Sequence, residues 1–261
     1  MKHKKFRGLF LALALLVITG HPYPTPAPAN TASAVAEANS HAAGTTAAAV
    51  DDLYLRVKQR LDQWIEERDW SRYHDGYVYA VDIGQLLAYA AKTGDQKLYA
   101  NLRAYSIANF ILNDPSDPFT QGMVLWRFNP GAPPDASGTT EALRIAQGLW
   151  LGSKAFGDPT DRHLAIRIVE AYARHQTVDQ GFWIIRNYFN VQTRAFATNS
   201  FLIDYDADFV SEMAAATGSS ELQDVAKGSY NWGRKAATRT GLLHQVIQPE
   251  IWTVYGDDSL I

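Results

Sequence analysis

Apolar residues recur at helical spacing in three similar stretches of the chain, residues 79–112, 139–175 and 204–234. In each stretch a first apolar pattern ends at a glycine, and a second pattern begins soon after it. The three glycines are Gly94, Gly157 and Gly218, which are 63 and 61 residues apart. Glycine is typical of a helix C-terminus, because the residue there adopts the left-handed backbone conformation. The pattern therefore predicts an all-α chain of repeated helical hairpins.

The connections between the predicted hairpins are long and rich in aromatic residues. They cover residues 113–137 and 177–199, and each contains a run that predicts short β segments, residues 121–129 and 181–189. Each connection starts after the second helix of one hairpin and leads into the first helix of the next. Both connections are therefore expected on the same rim of the stacked hairpins.

The chain before the hairpins divides into predicted parts of different composition. Residues 1–29 combine a basic start, an apolar run and the small-residue pattern Ala27-Pro28-Ala29, which is typical of a secretory signal peptide. Residues 30–50 are rich in Ala, Thr and Ser and predict a disordered linker. Residues 51–261 are the predicted helical domain, and its first helix is expected over residues 50–68. This organisation indicates a secreted or periplasmic protein; the alternative is a membrane anchor formed by an uncleaved N-terminal segment.

The composition excludes several kinds of chemistry. The chain has no cysteine, so disulfides and thiolate metal sites are not available to it. Its net charge of −3, without a basic block, argues against a nucleic acid partner. The seven histidines form no HExxH motif, and the chain has no dinucleotide or phosphate-loop fingerprint. We therefore expect neither a metal nor a cofactor.

An acidic residue opens the first helix of each predicted hairpin: Asp82, Glu141 and Asp206. Each is followed at helical spacing by apolar residues, so its side chain is expected on the core-facing side of the helix, at the rim that carries the long loops. Asp82 and Asp206 also share register, since each lies twelve residues before the glycine of its hairpin. The alternative is a structural role, in which the acids cap the helices or offset their dipoles.

Aromatic and basic residues accompany these acids in the predicted loops. A cleft for sugar rings needs flat aromatic faces, and hydrolysis of a glycosidic bond needs one protonated and one ionised carboxyl group. Arginines supply donors for hydroxyl groups or for acidic sugars. The alternative is that the aromatic residues only seal the rim. The candidate substrate-binding residues are Tyr77, Trp126, Arg127, Trp183, Arg186 and Tyr205.

With its helical hairpins and long loops on one rim, the chain resembles the six-hairpin glycosidases of (α/α)6 toroid type. Residues 204–210, Asp-Tyr-Asp-Ala-Asp-Phe-Val, resemble the Asp-Ala-Asp segment of the glycoside hydrolase family 8 endoglucanases, and residues 79–88 are loosely similar to the region of that family's proton donor. The resemblance implies a toroid fold and a polysaccharide substrate. It also implies that Asp82 is the acid and that Asp206 or Asp208 positions substrate or water. The family's donor is a glutamate, whereas this chain has an aspartate there.

The chain is too short for a full ring of this type. Six hairpins at the spacing of these glycines need about 370 residues, and 211 residues follow residue 50. The sequence therefore predicts an incomplete toroid with short β segments in its rim loops. We expect its open edge to be covered either by self-association or by a C-terminal half that this sequence lacks.

Together these features favour an exported glycoside hydrolase that acts on a polysaccharide by inversion. Its pair of carboxylates is drawn from Asp82, Glu141, Asp206 and Asp208. One alternative is a non-catalytic protein on the same scaffold that binds polysaccharide or assists exopolysaccharide assembly. Another is a polysaccharide lyase, in which Arg127 and Arg186 hold a uronic acid.

Overall fold

The computed structural model describes residues 75–179, 182–236, 243–248 and 253–259, and isolated positions between 52 and 65. For residues 178–179 and 182–183, and for those after 231 except Val246, it describes the backbone alone. The described positions between 52 and 63 are helical, as the sequence predicts, and belong to a separate compact unit. The predicted signal peptide and linker lie outside the described residues.

The prediction of repeated helical hairpins is confirmed within this part of the chain. Each hairpin has a first helix that ends at one of the three turn glycines and a second helix that follows it. The glycines have φ angles of 72°, 75° and 71°, in the left-handed region where other residues are strained. In chain order the helices are α1 (Ala80–Thr93), α2 (Gln96–Asn109), α3 (Thr139–Phe156), α4 (Pro159–Ala173), α5 (Ala207–Thr217) and α6 (Ser220–Ala236).

Aspartate side chains start the second helices of the first two hairpins. Asp95 accepts a hydrogen bond from the backbone N–H of Leu98 at 2.9 Å, at the start of α2. Asp158 accepts one from the backbone N–H of Thr160 at 2.8 Å, at the start of α4. These caps satisfy N–H groups that have no partner within the helix. The chain reversal is therefore fixed locally, by the glycine and by the cap that follows it.

The first helices of neighbouring hairpins pack side by side with very little space between them. A methyl group on Gly84 of α1 would lie 2.6 Å from the backbone carbonyl carbon of Arg144 on α3, and one on Gly148 of α3 would lie 2.5 Å from Cβ of Leu87. Gly84 meets Arg144, and Leu87, further along α1, meets Gly148, further along α3. The two helices therefore run parallel. Since only glycine permits so close an approach, the two glycines set the distance between the helices.

Hydrogen bonds between neighbouring hairpins join residues that are one repeat apart. They include Tyr99–Asp161 at 2.7 Å, Arg144–Asp206 at 3.4 Å and Trp150–Glu212 at 2.7 Å, each between residues 62 positions apart. The last two show that α5 runs parallel to α3. The N-termini of α1, α3 and α5 therefore face the same rim, as the sequence predicts for its acids.

Short antiparallel strands form the rim at these helix N-termini, which confirms the predicted β segments. Strand β1 (Val78–Tyr79) leads directly into α1, and β3 (Ala136–Gly138) leads directly into α3. The strands pair in the orders β1–β2, β3–β6–β7, β4–β5 and β8–β9–β10. The others are β2 (Arg127–Phe128), β4 (Gln176–Asp179), β5 (Phe182–Ile185), β6 (Tyr188–Asn190), β7 (Ala195–Phe196), β8 (Ser200–Phe201), β9 (Leu243–Gln248) and β10 (Thr253–Ser259).

The apolar faces of the helices are buried against one another. Ile83 and Leu87 of α1, Leu143 and Leu149 of α3, and Ile168 of α4 have at most 1% of their surface exposed. This burial is the main favourable contribution to the stability of the stacked hairpins. Among the described helices, none combines the length and the apolar content that crossing a bilayer requires.

The close packing of α1 on α3 predicts that Gly84→Ala destabilises the protein. Alanine is the better helix former by about 1 kcal/mol, but overpacking a filled interface costs about 1–3 kcal/mol. The added methyl group meets backbone atoms, which cannot rotate away, so we expect a lower Tm in thermal unfolding followed by circular dichroism. Ala104→Leu adds atoms on the exposed face of α2 and should leave Tm unchanged. A Gly84→Ala protein as stable as the wild type would show that the helix interface can accommodate the added methyl group.

Candidate functional site

Asp82 and Glu141 occupy equivalent positions at the start of neighbouring parallel helices. Each is the third residue of its helix, α1 and α3 respectively. Asp82 is 3% exposed, whereas Glu141 is only partly buried. Their carboxyl groups are close enough for the charge of Asp82 to raise the pKa of Glu141. The structure therefore brings two of the predicted acids together at the rim.

The carboxyl group of Glu141 folds back over the N-terminus of α3, against Gly138. A methyl group on Gly138 would overlap this carboxyl group and would lie 3.1 Å from Cβ of Trp126. Burial, and to a smaller extent the charge of Asp82, raises the pKa of Glu141 to about 7. The partial positive charge of the helix N-terminus acts in the opposite direction, so desolvation is the larger effect. At neutral pH such a group exists in both forms and can donate or accept a proton.

Glu141 lines a cavity of about 400 Å³ at the rim, a volume typical of small-molecule sites. Strands β3 and β6 supply half of its lining residues. Tyr188 is 40% exposed, and its aromatic ring offers a flat face to a ligand. We call this the Glu141 cavity; its lining residues are Trp126, Asp135, Ala136, Gly138, Glu141, Asn187, Tyr188 and Asn190.

A buried carboxyl group that the sequence analysis missed lies behind this cavity. Asp204 is 0% exposed and accepts hydrogen bonds at 2.9 Å from the Thr140 hydroxyl and from the backbone N–H of Phe201. The Asn187 amide, oriented with its nitrogen toward Asp204, donates to both carboxylate oxygens at 3.2 Å. Burial raises the pKa of Asp204 to about 7, and the charge of Glu141 adds to this shift. Asp204 therefore holds an amide that lines the cavity and is electrostatically coupled to Glu141.

Asp135 holds two of the predicted substrate-binding residues in place. Its Oδ1 accepts hydrogen bonds from Trp126 Nε1 and from the backbone N–H of Ala136, both at 2.8 Å. Its Oδ2 accepts from Arg127 Nε at 3.2 Å and from Arg127 Nη2 at 2.9 Å. Although partial burial opposes it, these bonds lower the pKa of Asp135, so the group is ionised.

Arg127 is stacked between two aromatic rings. Its guanidinium carbon lies 4.1 Å from the ring centroid of Tyr77 and 4.3 Å from that of Trp126, which are favourable cation–π distances. We call Tyr77, Arg127 and Trp126 the aromatic wall, together with Asp135, which binds Arg127 and Trp126. Trp126 and Asp135 belong to the lining of the Glu141 cavity, so the wall bounds that cavity on one side.

The other two predicted acids make hydrogen bonds within the scaffold. Asp206 is the N-cap of α5, where its side chain accepts from the backbone N–H of Phe209 at 3.1 Å. Asp208 accepts from the hydroxyl of Tyr230 at 2.6 Å, on the exposed surface. Neither belongs to the described lining of the Glu141 cavity. Helix capping, the structural role given above as the alternative, thus accounts for the position of Asp206. A catalytic role for either acid stays a prediction.

The other candidate binding residues bond within the rim loops or lie outside the described side chains. Arg186 donates to the backbone carbonyl of Thr198 at 3.0 Å. The Tyr205 hydroxyl lies 2.7 Å from the Ser200 hydroxyl. The side chain of Trp183 is outside the described part of the chain. A binding role for these three residues stays a prediction.

Comparison with known proteins gives matches among solved structures alone: no protein-family model and no curated protein matches the chain. The chain is similar to an endo-beta-1,4-glucanase from Acetobacter xylinum, with a TM-score of 0.58 and 17% identity, over 71% of this chain and 61% of that one. It is also similar to a novel alpha-amylase from Clostridium perfringens, with a TM-score of 0.58 and 14% identity, over 69% of this chain and 51% of that one. A glycoside hydrolase family 8 xylanase from Teredinibacter turnerae matches with a TM-score of 0.54 and 11% identity, over 67% of this chain and 50% of that one.

The chain spans 61%, 51% and 50% of the lengths of these three structures. The likeness rests on the arrangement of helices, because the sequence identities are low. The chain therefore has the (α/α)6 glycosidase-like fold in the form of an incomplete toroid.

Proposed function

We propose that the protein is an exported glycoside hydrolase that acts on a polysaccharide, with Glu141 as the proton donor. The observation that carries this proposal is the position of Glu141, which lines a cavity and has a pKa raised to about 7. Hydrolysis of a glycosidic bond needs an acid that is still protonated at the working pH. Solved structures with this fold include proteins named as a glucanase and a xylanase, which supports a glycan as the substrate.

Asp82 and Asp204 act on Glu141 and its surroundings rather than on the substrate. The resemblance implies Asp82 as the acid, but Asp82 is 3% exposed and does not belong to the described cavity lining. Its negative charge keeps the proton on Glu141 to higher pH. Asp204 fixes the Asn187 amide. This division of roles favours Glu141 over Asp82 as the donor.

Inversion requires a second, ionised carboxylate across the cavity from the acid. Asp135 is ionised and lines the Glu141 cavity. However, the hydrogen bonds to its two oxygens use the lone-pair sites that a carboxylate offers. Asp135 is therefore suited to hold Trp126 and Arg127, and poorly suited to take a proton from water. Inversion, with Asp206 or Asp208 as the second carboxylate, stays a prediction.

The Glu141 cavity suits an uncharged sugar better than a uronic acid. A lyase needs a cation that faces the sugar carboxylate, but Arg127 pairs with Asp135 at 2.9 Å and is stacked between two rings. The amides of Asn187 and Asn190 in the cavity wall match the hydroxyl groups of a neutral glycan. The arrangement therefore favours hydrolysis over elimination.

Because hydrogen bonds within the protein occupy the acceptor sites of Asp135, this group is poorly suited to act as a base. This supports a second candidate function, a non-catalytic glycan-binding protein on the same scaffold. Such a protein would use the same cavity and aromatic residues. It would bind oligosaccharides and release no sugar, which separates it from the enzyme by experiment.

Replacing the proposed proton donor should abolish most of the turnover. Glu141→Gln keeps the size of the side chain and removes its acidity, and loss of a general acid lowers rates by about 10²- to 10⁴-fold. We expect this loss in the release of reducing sugar from β-1,4-glucan or xylan, with unchanged helical circular dichroism. Glu170→Gln, at an exposed position of α4, should keep the wild-type rate. An active Glu141→Gln protein would contradict the assignment, and glycan binding by an inactive wild type would favour the non-catalytic candidate.

Glu141 should make the protein less stable as the pH rises. Its ordinary pKa is 4.5, and its pKa in the folded protein is about 7. The folded state therefore holds the proton more tightly, so the stability that Glu141 contributes is complete below pH 4.5 and is lost as the pH rises to 7. Each pH unit in this window is worth about 1.4 kcal/mol. In urea unfolding, the advantage of Glu141→Gln over the wild type should be larger at pH 8 than at pH 4.5, by about 3 kcal/mol. If the difference in unfolding free energy between the two proteins were the same at both pH values, the pKa of Glu141 would have its ordinary value.

Gly138→Ala should displace the Glu141 carboxyl group without breaking the fold. Gly138 has a φ of −102°, which alanine adopts freely, but the added methyl group overlaps the carboxyl group of Glu141. A misplaced acid costs turnover, so we expect the kcat of Gly138→Ala to fall by about 10²-fold while its Tm stays near the wild type. In the Glu141→Gln protein the same change should have no further effect on kcat. Full activity of Gly138→Ala would mean that the carboxyl group does not need this position.

A further inference from the structure

A second cavity lies beside the Glu141 cavity, on the other side of the aromatic wall. It has a volume of about 420 Å³ and lies between the end of α2 and the loop that carries β2. Tyr77 and Arg127 of the wall line it, whereas Trp126 lines the Glu141 cavity. Asp135 lines both cavities. We call it the outer cavity; the two cavities are neighbours along one rim.

The acidic residues of the outer cavity already have partners within the protein. Asp117 pairs with Arg194 at 2.8 Å and accepts a hydrogen bond from Thr120 at 2.8 Å. Asp114 accepts a hydrogen bond from the hydroxyl of Ser116 at 2.7 Å. Asp135 is saturated by Trp126, Arg127 and the backbone. A charged ligand would have to displace these internal partners, so the cavity favours an uncharged one.

Apolar surface and amide groups share the rest of the lining. Phe128, Pro133 and Pro134 supply apolar faces, and Asn113 and Asn129 supply amide groups that donate and accept hydrogen bonds. A pyranose ring has the matching chemistry, since its C–H face is apolar and its edge carries hydroxyl groups. Both the size and the lining of the cavity therefore suit a neutral sugar.

We propose that the outer cavity binds further sugar units of the same uncharged glycan chain that enters the Glu141 cavity. The identity of its ligand rests on the proposed function. A chain that fills both cavities passes over Asp135 and the aromatic wall. Occupation of one cavity raises the effective concentration of the chain at the other, so long oligosaccharides bind more tightly than short ones.

The test compares the affinities of long and short oligosaccharides by isothermal titration calorimetry. The full chain carries Glu141→Gln, so that no ligand is cleaved, and the probes are cellohexaose with cellobiose, and xylohexaose with xylobiose. Ala132→Trp fills the outer cavity with a large side chain, and Asn129→Ala removes one of its amides. We expect each variant to lower the ratio of hexasaccharide to disaccharide affinity by at least about 10-fold. Ala104→Trp makes the same replacement at an exposed position of α2 and should keep the parent ratio.

Several results would overturn the proposal. They are an unchanged affinity ratio in both variants, equal affinities for the long and short probes in the parent protein, and no binding of any hexasaccharide. A failure of the proposed function is a separate result. It would appear as a wild type that releases no sugar but still binds the hexasaccharide more tightly than the disaccharide, with this ratio lowered in both variants; that outcome would support the outer cavity and contradict hydrolysis.

Discussion

The close packing of two parallel helices is the constraint on which the site depends. Gly84 and Gly148 allow α1 and α3 to approach more closely than a β-carbon at either position would permit. This approach sets the carboxyl group of Asp82 near that of Glu141, at equivalent positions of the two helices. A carboxyl group that is partly removed from water and lies near a like charge keeps its proton to higher pH. The geometry of a helix interface thereby determines the acidity of a side chain at its end.

The raised pKa values of the buried acids lower the stability of the folded protein once these groups ionise. Burial raises the pKa values of Glu141 and Asp204 to about 7, so each group costs free energy when it ionises in the folded protein. Hydrogen bonds from Thr140 and Phe201 offset part of this cost at Asp204. The dipole of α3 offsets part of it at Glu141. Groups held in this way are typical of functional sites, where the surrounding fold compensates for a local loss of stability.

The sequence predicts those features whose causes are local. Each hairpin depends on a glycine and the cap that follows it, and an acid in the first turn of an amphipathic helix faces the rim because of helical spacing alone. The role of Asp204 could not be predicted, because its partner Thr140 lies 64 residues away; its one signal is that it opens the acidic segment that contains Asp206. The hydrogen bonds that Trp126 and Arg127 donate to Asp135 likewise depend on a loop that folds back on itself. Non-local contacts of this kind decide which of several acids reaches the cavity.

The pKa of the Glu141 carboxyl group is the quantity from which its proposed role follows. It can be measured directly by a ¹³C NMR titration of the full chain with labelled glutamate side chains, in which the resonance of Glu141 is identified by its loss in Glu141→Gln. We expect a midpoint near 7 in the wild type and a lower midpoint in Asp82→Asn, where the neighbouring charge is absent. A wild-type midpoint near 4.5, the ordinary value, would contradict the assignment of Glu141 as the proton donor.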